Sequence, residues 1–479
     1  MAPTAVVPPA PPAPARPGQL KRRIGAIAGI LIAIGIRLQP AIGQLDATGR
    51  SALAVLALGV VFWATDVLNA GITALLVLGL LIISGVPSPV ALGGYGGGAF
   101  WILVCVLFFG TAMEKTGLAR RISYRILLIF RPTYGGILTA FLLIGFVLTL
   151  GIPSMTVRTA IVVPIAFALV QAVGLRLPSR GAALIVLHAF EMAVLPGCAI
   201  LTGSLWGPFI TGLFANAKVP ITWFDYARVM AVPTLVWCVL LTFANYLTLR
   251  PPQSAEMNKD SVRANLSALG AMKRPELVTA MTVVLAIAAW ASQPWHRVPP
   301  EAVGMVALAV LFATNVLVPP EIGTGIPWPL ALFVGGMLSL STVMTTYKIN
   351  AWLGGFILPA LQPFVANRFV FAVAMSVAVA GMRFVDPVGF IAIAAFFLPL
   401  VAFMSGVGIQ PLVLTGIILL PVHVFWFNYQ NIWIVMTEGI SRKSAYTDVD
   451  RFKMGTTFFG VTIVALWLAI GFWRLTGQL

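Results

Sequence analysis

Two stretches of this chain set polar chemistry inside sequence that otherwise seeks hydrocarbon. In the first, Leu150-Gly151-Ile152-Pro153-Ser154-Met155-Thr156-Val157-Arg158-Thr159 separates apolar runs at 134–149 and 160–173. Lipid hydrates none of these groups, so an irregular turn at that depth survives only where protein covers it or where it lines a watery cavity. Downstream lies Pro196-Gly197-Cys198-Ala199-Ile200-Leu201-Thr202-Gly203-Ser204-Leu205-Trp206-Gly207-Pro208, a predicted break in a helix. Glycines there release carbonyls from helical pairing, and hydroxyls add neutral oxygens that suit Na⁺. Ser154, Thr156, Gly197 and Gly203 are therefore candidate cation ligands. Helix N-termini facing the same space offer N–H donors to a carboxylate, which makes Ser154, Met155, Thr156, Thr202 and Ser204 candidate anion contacts. The competing reading is a proline kink with ordinary Ser/Thr back-bonding.

The second stretch is Met382-Arg383-Phe384-Val385-Asp386-Pro387-Val388-Gly389-Phe390. Arg383 and Asp386 stand three apart, close enough to pair on a helix, and charges within membrane sequence are functional candidates. Asp386 either binds a cation, carries a proton, or neutralises Arg383. A second predicted break, Leu420 to Asn431, carries Phe425, Trp426, Phe427, Asn428 and Tyr429. These aromatics either line a pocket for a bulky carboxylate, with Gly389 and Asn428, or pack in a core or interface belt. His188 and Glu191 share a helix face and read as a proton relay or as packing.

The elements that must position these residues are membrane helices. Hydrophobic residues make up 59% of the 479 and charged residues only 9%, against about 25% charged in soluble domains. Spans are predicted at 24–38, 51–67, 70–86, 98–116, 181–217 with a break, 226–248, 276–293, 302–318, 328–346, 409–438 with a break, and 455–474. Two re-entrant hairpins, 134–172 and 367–405, complete the set. Residues 1–20 form a Pro/Ala tract expected to be disordered, and 249–275 a polar cytoplasmic linker. With this threading most of the 30 Lys and Arg residues fall on one side, which by the positive-inside rule is the cytoplasm and includes the N-terminus. The net charge of +16 thus reflects topology rather than a nucleic-acid groove. The helix Arg120-Arg121-Ile122-Ser123-Tyr124-Arg125 is expected along the inner interface, anchored on anionic lipid. Residues 101–119 and 328–351 each precede an amphipathic stretch, a hairpin and a broken helix, and they start on opposite sides. Residues 21–248 and 276–479 therefore read as the first span plus one inverted repeat, and a second repeat. The fold class is an all-α membrane protein, an inverted-repeat secondary transporter with about 11 transmembrane helices and two re-entrant hairpins.

The chain resembles the divalent anion/sodium symporter family, the INDY-type dicarboxylate transporters. The resemblance rests on Gly110-Thr111-Ala112-Met113-Glu114-Lys115-Thr116-Gly117-Leu118-Ala119, on the Pro-Ser-x-Thr turn with Pro164 beyond it, and on Thr202-Gly203-Ser204-Leu205-Trp206. It implies a homodimer, an elevator motion of a transport unit, and a first cation site with half the substrate site at Ser154, Thr156 and the Gly197–Ser204 break. The family's turn reads Ser-Asn-Thr, whereas here Met155 replaces the Asn; Arg158 is either a substitute anion-binding fork or a structurally paired arginine. The second Ser-Asn-Thr is absent, and aromatics stand where the family has Thr-Pro-Pro-Asn.

The expected function is secondary active transport of an organic anion, a di- or other carboxylate, coupled to Na⁺ or alternatively H⁺. No organic cofactor is expected. The alternatives are an inorganic oxyanion transporter or cation/proton antiporter and, more distantly, a membrane-embedded enzyme using His188 and Glu191, which lacks metal-ligand or nucleophile spacing. Expected partners are a small anion, Na⁺, membrane lipid and a second copy of the chain, in a bacterial inner membrane.

Overall fold

A computed structural model describes residues 19–252, 259–384, 389, 393, 397, 399–401, 404 and 409–479. Most of the Pro/Ala tract and Asp386 lie outside the described residues. Every regular element among them is helical. Among the described residues, nine helices are long and apolar enough to cross a membrane, and five shorter apolar helices of 10–17 residues accompany them.

Counting only helices longer than one turn, the chain opens with α1 (Gln19–Leu38), α2 (Ala47–Thr65), α3 (Ala70–Ile83), α4 (Gly98–Thr116) and α5 (Leu118–Ile129). Then come α6 (Tyr134–Gly151), α7 (Met155–Ala172), α8 (Arg180–Val194), α9 (Trp206–Asn216) and α10 (Trp223–Leu249). The remainder is α11 (Lys259–Ala268), α12 (Arg274–Ala291), α13 (Pro300–Ala313), α14 (Trp328–Thr346), α15 (Ile349–Val365), α16 (Arg368–Met382), α17 (Val413–Leu419), α18 (Ile432–Ile440) and α19 (Asp448–Leu475).

Local chemistry fixes many of these boundaries. Asp46 and Asn69 side chains accept the orphan N–H groups that open α2 and α3. Capping boxes, Thr222 with Asp225 and Thr447 with Asp450, start the two longest helices, α10 and α19. Gly117, at φ 80°, ends α4 in the left-handed conformation that glycine adopts without strain.

The element order α4–α5–α6–α7–α8/α9–α10 recurs as α14–α15–α16 followed, beyond the partly described stretch, by α17/α18–α19. Around the first copy, α4 packs on α12 and α13, and α3 packs on α14. The breaks sit in a second group, in which α8 lies between α6 and α7 and also touches α10, α18 and α19. Every residue of α8 after Arg180 is buried. Apart from His188 and Glu191 these residues are apolar, and a helix apolar on nearly every face is the expected tenant of such a centre.

Two expectations change here. The stretch expected to be a plain linker contains α11, which packs on α5; Lys259 Nζ donates to Leu128 O at 3.0 Å. On α5 itself, Arg120 and Arg125 are exposed but Arg121 turns inward. Its Nε donates to Glu276 Oε2 at 2.6 Å and its Nη1 to Gly270 O at 2.8 Å. Arg121 therefore ties α5 to the start of α12 instead of anchoring on lipid.

Candidate functional site

The first break follows from Pro196, which has no N–H to continue α8. The chain passes through two 3-10 turns, Leu195–Cys198 and Leu201–Gly203, before α9 begins. This leaves carbonyls at the C-terminal, negative end of α8 in need of donors. Arg158, in the first turns of α7, supplies them. Its Nε donates to Ala193 O at 2.6 Å and its Nη2 to Val194 O at 3.3 Å. Nη1 donates at 2.6 Å both to Ile152 O in the α6–α7 turn and to Gly203 O in the break. The side chain is 0% exposed, and among the described residues no carboxylate lies within ion-pairing distance of it. One guanidinium thus joins the hairpin turn, the end of α8 and the loop before α9.

Glycine is required beside it. A Cβ on Gly197 would run into the Arg158 guanidinium, Gly203 O and the Ser204 side chain. Gly203 is confined in turn by Gly197 O and Thr149.

The hydroxyls are engaged locally. Ser154 caps α7 by accepting from Val157 N at 3.3 Å, and Ser204 accepts from Trp206 N at 3.3 Å. Thr202 Oγ1 accepts from Trp223 Nε1 at 3.0 Å, and Met155 is fully buried. Thr156 differs. It is exposed, and its Oγ1 accepts from Trp433 Nε1 at 3.2 Å. Thr156 is the second residue of α7 and Trp433 the second of α18. The positive ends of two helices therefore meet at this bond.

At the second break, Pro421–His423 and Asn428–Gln430 form 3-10 turns between α17 and α18. Asn431 caps α18 by accepting from Trp433 N at 3.0 Å, and its Nδ2 donates to His423 O at 3.3 Å. Arg383, 1% exposed at the end of α16, donates from Nη2 to Gln430 O. Gly389, at φ 95°, lies where a Cβ would meet Val422, Arg383 and Trp206. Gly389 thus lies against the start of α9 at the first break.

Of the two readings open for the aromatics, Phe425 takes the core: it is 1% exposed and packs edge-on to Phe190 at 5.3 Å and Phe458 at 5.4 Å. The Asn428 amide donates to Glu438 Oε2 at 3.2 Å, while Glu438 Oε1 accepts from Arg451 Nη1 at 2.6 Å. That polar contact closes the break. Phe427 and Tyr429, stacked 5.8 Å apart, remain partly exposed.

With this geometry in place, comparison with known proteins is decisive. The model of the sodium:sulfate symporter transmembrane region matches residues 20–479. The chain belongs to that family.

Among relatives, a sodium-dependent dicarboxylate transporter of Staphylococcus saprophyticus is 25% identical over 70% of this chain and 70% of its own. The chloroplastic dicarboxylate transporter 1 of Arabidopsis thaliana is 24% identical over 60% of this chain, and the match spans only 53% of that protein. The YdaH transporter of Alcanivorax borkumensis shares the fold at a TM-score of 0.56 and 12% identity, covering 96% of this chain and 98% of that one. The chain is thus a multi-pass membrane protein and a secondary transporter, not an enzyme.

Within this family Na⁺ is the ion to fit against the first break. The carbonyls of Ile152, Ala193, Val194 and Gly203 all already accept from Arg158. A second cation at these four oxygens would meet the full charge of the guanidinium, so they do not form a Na⁺ shell while Arg158 holds them. Asp386, the other expected cation ligand, lies outside the described residues.

His188 and Glu191 are both fully buried and share Asn245, whose Nδ2 donates to Glu191 Oε2 and lies 3.4 Å from His188 Nδ1. Among the described residues no cluster of metal-ligating side chains accompanies them. Sequence reasoning missed Trp433, Glu438, Arg451 and Asn245, each of which acts through a partner distant in sequence. It also missed the four carbonyls around Arg158, for which no residue type is a signal.

Proposed function

We propose that the chain is a secondary active transporter of a small organic dianion of the dicarboxylate class, bound where the first turns of α7 and α18 meet. The observation that carries this is the Trp433–Thr156 bond between two helix N-termini, with Arg158 and Arg383 buried behind them. The positive ends of two helix dipoles there favour carboxylate oxygens. The printed activities of the dicarboxylate-transporting relatives support the same class. Ser154, Met155, Thr202, Ser204 and Gly389 support the two helix ends, and partly exposed Phe427 and Tyr429 favour a solute with an apolar face.

A cation gradient drives uptake, with Na⁺ the first ion to test and H⁺ the second, through Asp386 at the second hairpin. The transport unit of α6–α10 and α16–α19 moves as an elevator within a homodimer. The N-terminus lies in the cytoplasm of a bacterial inner membrane. The family description favours one second reading, an inorganic oxyanion such as sulfate. Proteoliposomes offered succinate, malate, 2-oxoglutarate or sulfate under imposed Na⁺ or pH gradients separate the readings. Dicarboxylate flux is expected; sulfate flux alone would replace this proposal with the second reading.

A further inference from the structure

We infer that the Arg158 guanidinium is a tethered cation, standing where a free cation would otherwise bind between the first hairpin turn and the first helix break. The inference deepens the transporter reading, and rests on it, by assigning the charge at one lip of its site. The cradle has the composition of a cation site. It consists of four carbonyl oxygens from three separate pieces of chain, two of them at the negative end of α8. An arginine whose purpose was an ion pair would face a carboxylate. Among the described residues this one faces backbone oxygen only, while fully buried.

A buried charge without a counter-charge is costly unless dipoles compensate it. Here the carbonyls that Pro196 frees from α8 do so. Gly197 keeps the space open for the guanidinium, since any side chain there would occupy it. Arg158 also sits in the first turns of the same helix whose N-terminus carries Thr156. Its charge therefore lies behind the proposed anion position permanently, whereas a dissociable ion would supply it only when bound.

The test uses full-length protein purified in detergent and needs no transported anion, so it stands apart from the flux assay. Arg158→Ala is purified in Na⁺, and its melting temperature is compared with wild type in NaCl, KCl, choline chloride and choline chloride with added methylguanidinium. Removing the side chain uncovers the oxygens. The variant is expected to gain a rise on the order of 2 °C or more with Na⁺ or methylguanidinium over choline. Wild type is expected to show a smaller response or none. Arg158→Lys, which keeps a tethered charge, should behave as wild type.

An Arg158→Ala protein that folds but responds to no cation would overturn the inference. So would a Na⁺ response equal in wild type and variant, or failure of the variant to fold in Na⁺ and in methylguanidinium alike. Absence of dicarboxylate flux in wild type would sink the dicarboxylate reading and leave this result standing.

Discussion

At the first helix break a buried arginine is met by four backbone carbonyls, while at the second Arg451 is met by the carboxylate of Glu438, which also holds Asn428. Both arrangements close a gap in a helix, but they leave different fields behind. Arg451 meets carboxylates, Glu438 at 2.6 Å and Asp448 at 2.8 Å, which offset its charge. The carbonyl cradle has only dipoles to set against a full positive charge, and at the second break buried Arg383 likewise donates to a backbone carbonyl, Gln430 O. On the proposed reading an anion is drawn to the lip built on α7, and α18 contributes a second helix end and the Trp433 donor.

This contrast can be broken most forcefully at Glu438. Glu438→Ala removes the buried partner of Arg451 and leaves it only the exposed Asp448 at 2.8 Å, and losing one partner of a buried pair costs about 3–5 kcal/mol. Thermal unfolding of the purified protein should show the largest loss of any variant considered, and Glu438→Met with Arg451→Met should recover part of it. An unchanged melting temperature would mean that the second break is not held by this pair.

Next in size is Gly197→Ala, which drives a methyl into the Arg158 cradle and should cost about 1–3 kcal/mol as overpacking. Gly439→Ala on α18 is its control, since a Cβ there meets nothing within 4 Å. Equal stability for the two would remove the cradle's close packing from the account.

Trp433→Phe and Thr156→Val come third. Each deletes one side of a single hydrogen bond worth about 0.5–1.5 kcal/mol, so dicarboxylate binding should weaken by up to about tenfold. The double variant should be little worse than either single one, and full additivity would show that the two helix ends act separately. The smallest effect is expected far from both breaks. Arg120→Ala with Arg125→Ala should reduce attraction to anionic lipid by about 1 kcal/mol per residue, read as transport rate against lipid composition, with dicarboxylate affinity unchanged.

The helices were legible because apolar length and end signals coincide. The predicted runs 98–116 and 328–346 are the limits of α4 and α14, and the α6–α7 turn falls at 152–154, where Gly151, Pro153 and Ser154 mark it. Ser154 was legible as a special position for the same reason, being an N-cap hydroxyl before an apolar run. The reach of Arg158 was not legible, because its partners are carbonyls that every residue carries; only the fold decides which are left open. Arg121 was misjudged for a related reason. Its neighbours on α5 look like a basic surface stripe, and nothing local announces Glu276 on a helix 155 positions away. Phe425 and the Phe427–Tyr429 pair belong to one aromatic run, yet one ring is core and the others partly exposed. A bend at 426–427 alters which face each residue takes, and helical or strand periodicity cannot anticipate that.

The cross-link made by Arg158 bears on how the first hairpin can behave. Its turn, the end of α8 and the loop before α9 are bolted together by a side-chain group that is covalently part of the protein and cannot diffuse away. Such a tip is riveted and does not swing alone. Any gate that admits solute must then be hung on the opposite side, or the whole riveted block must travel with its cargo.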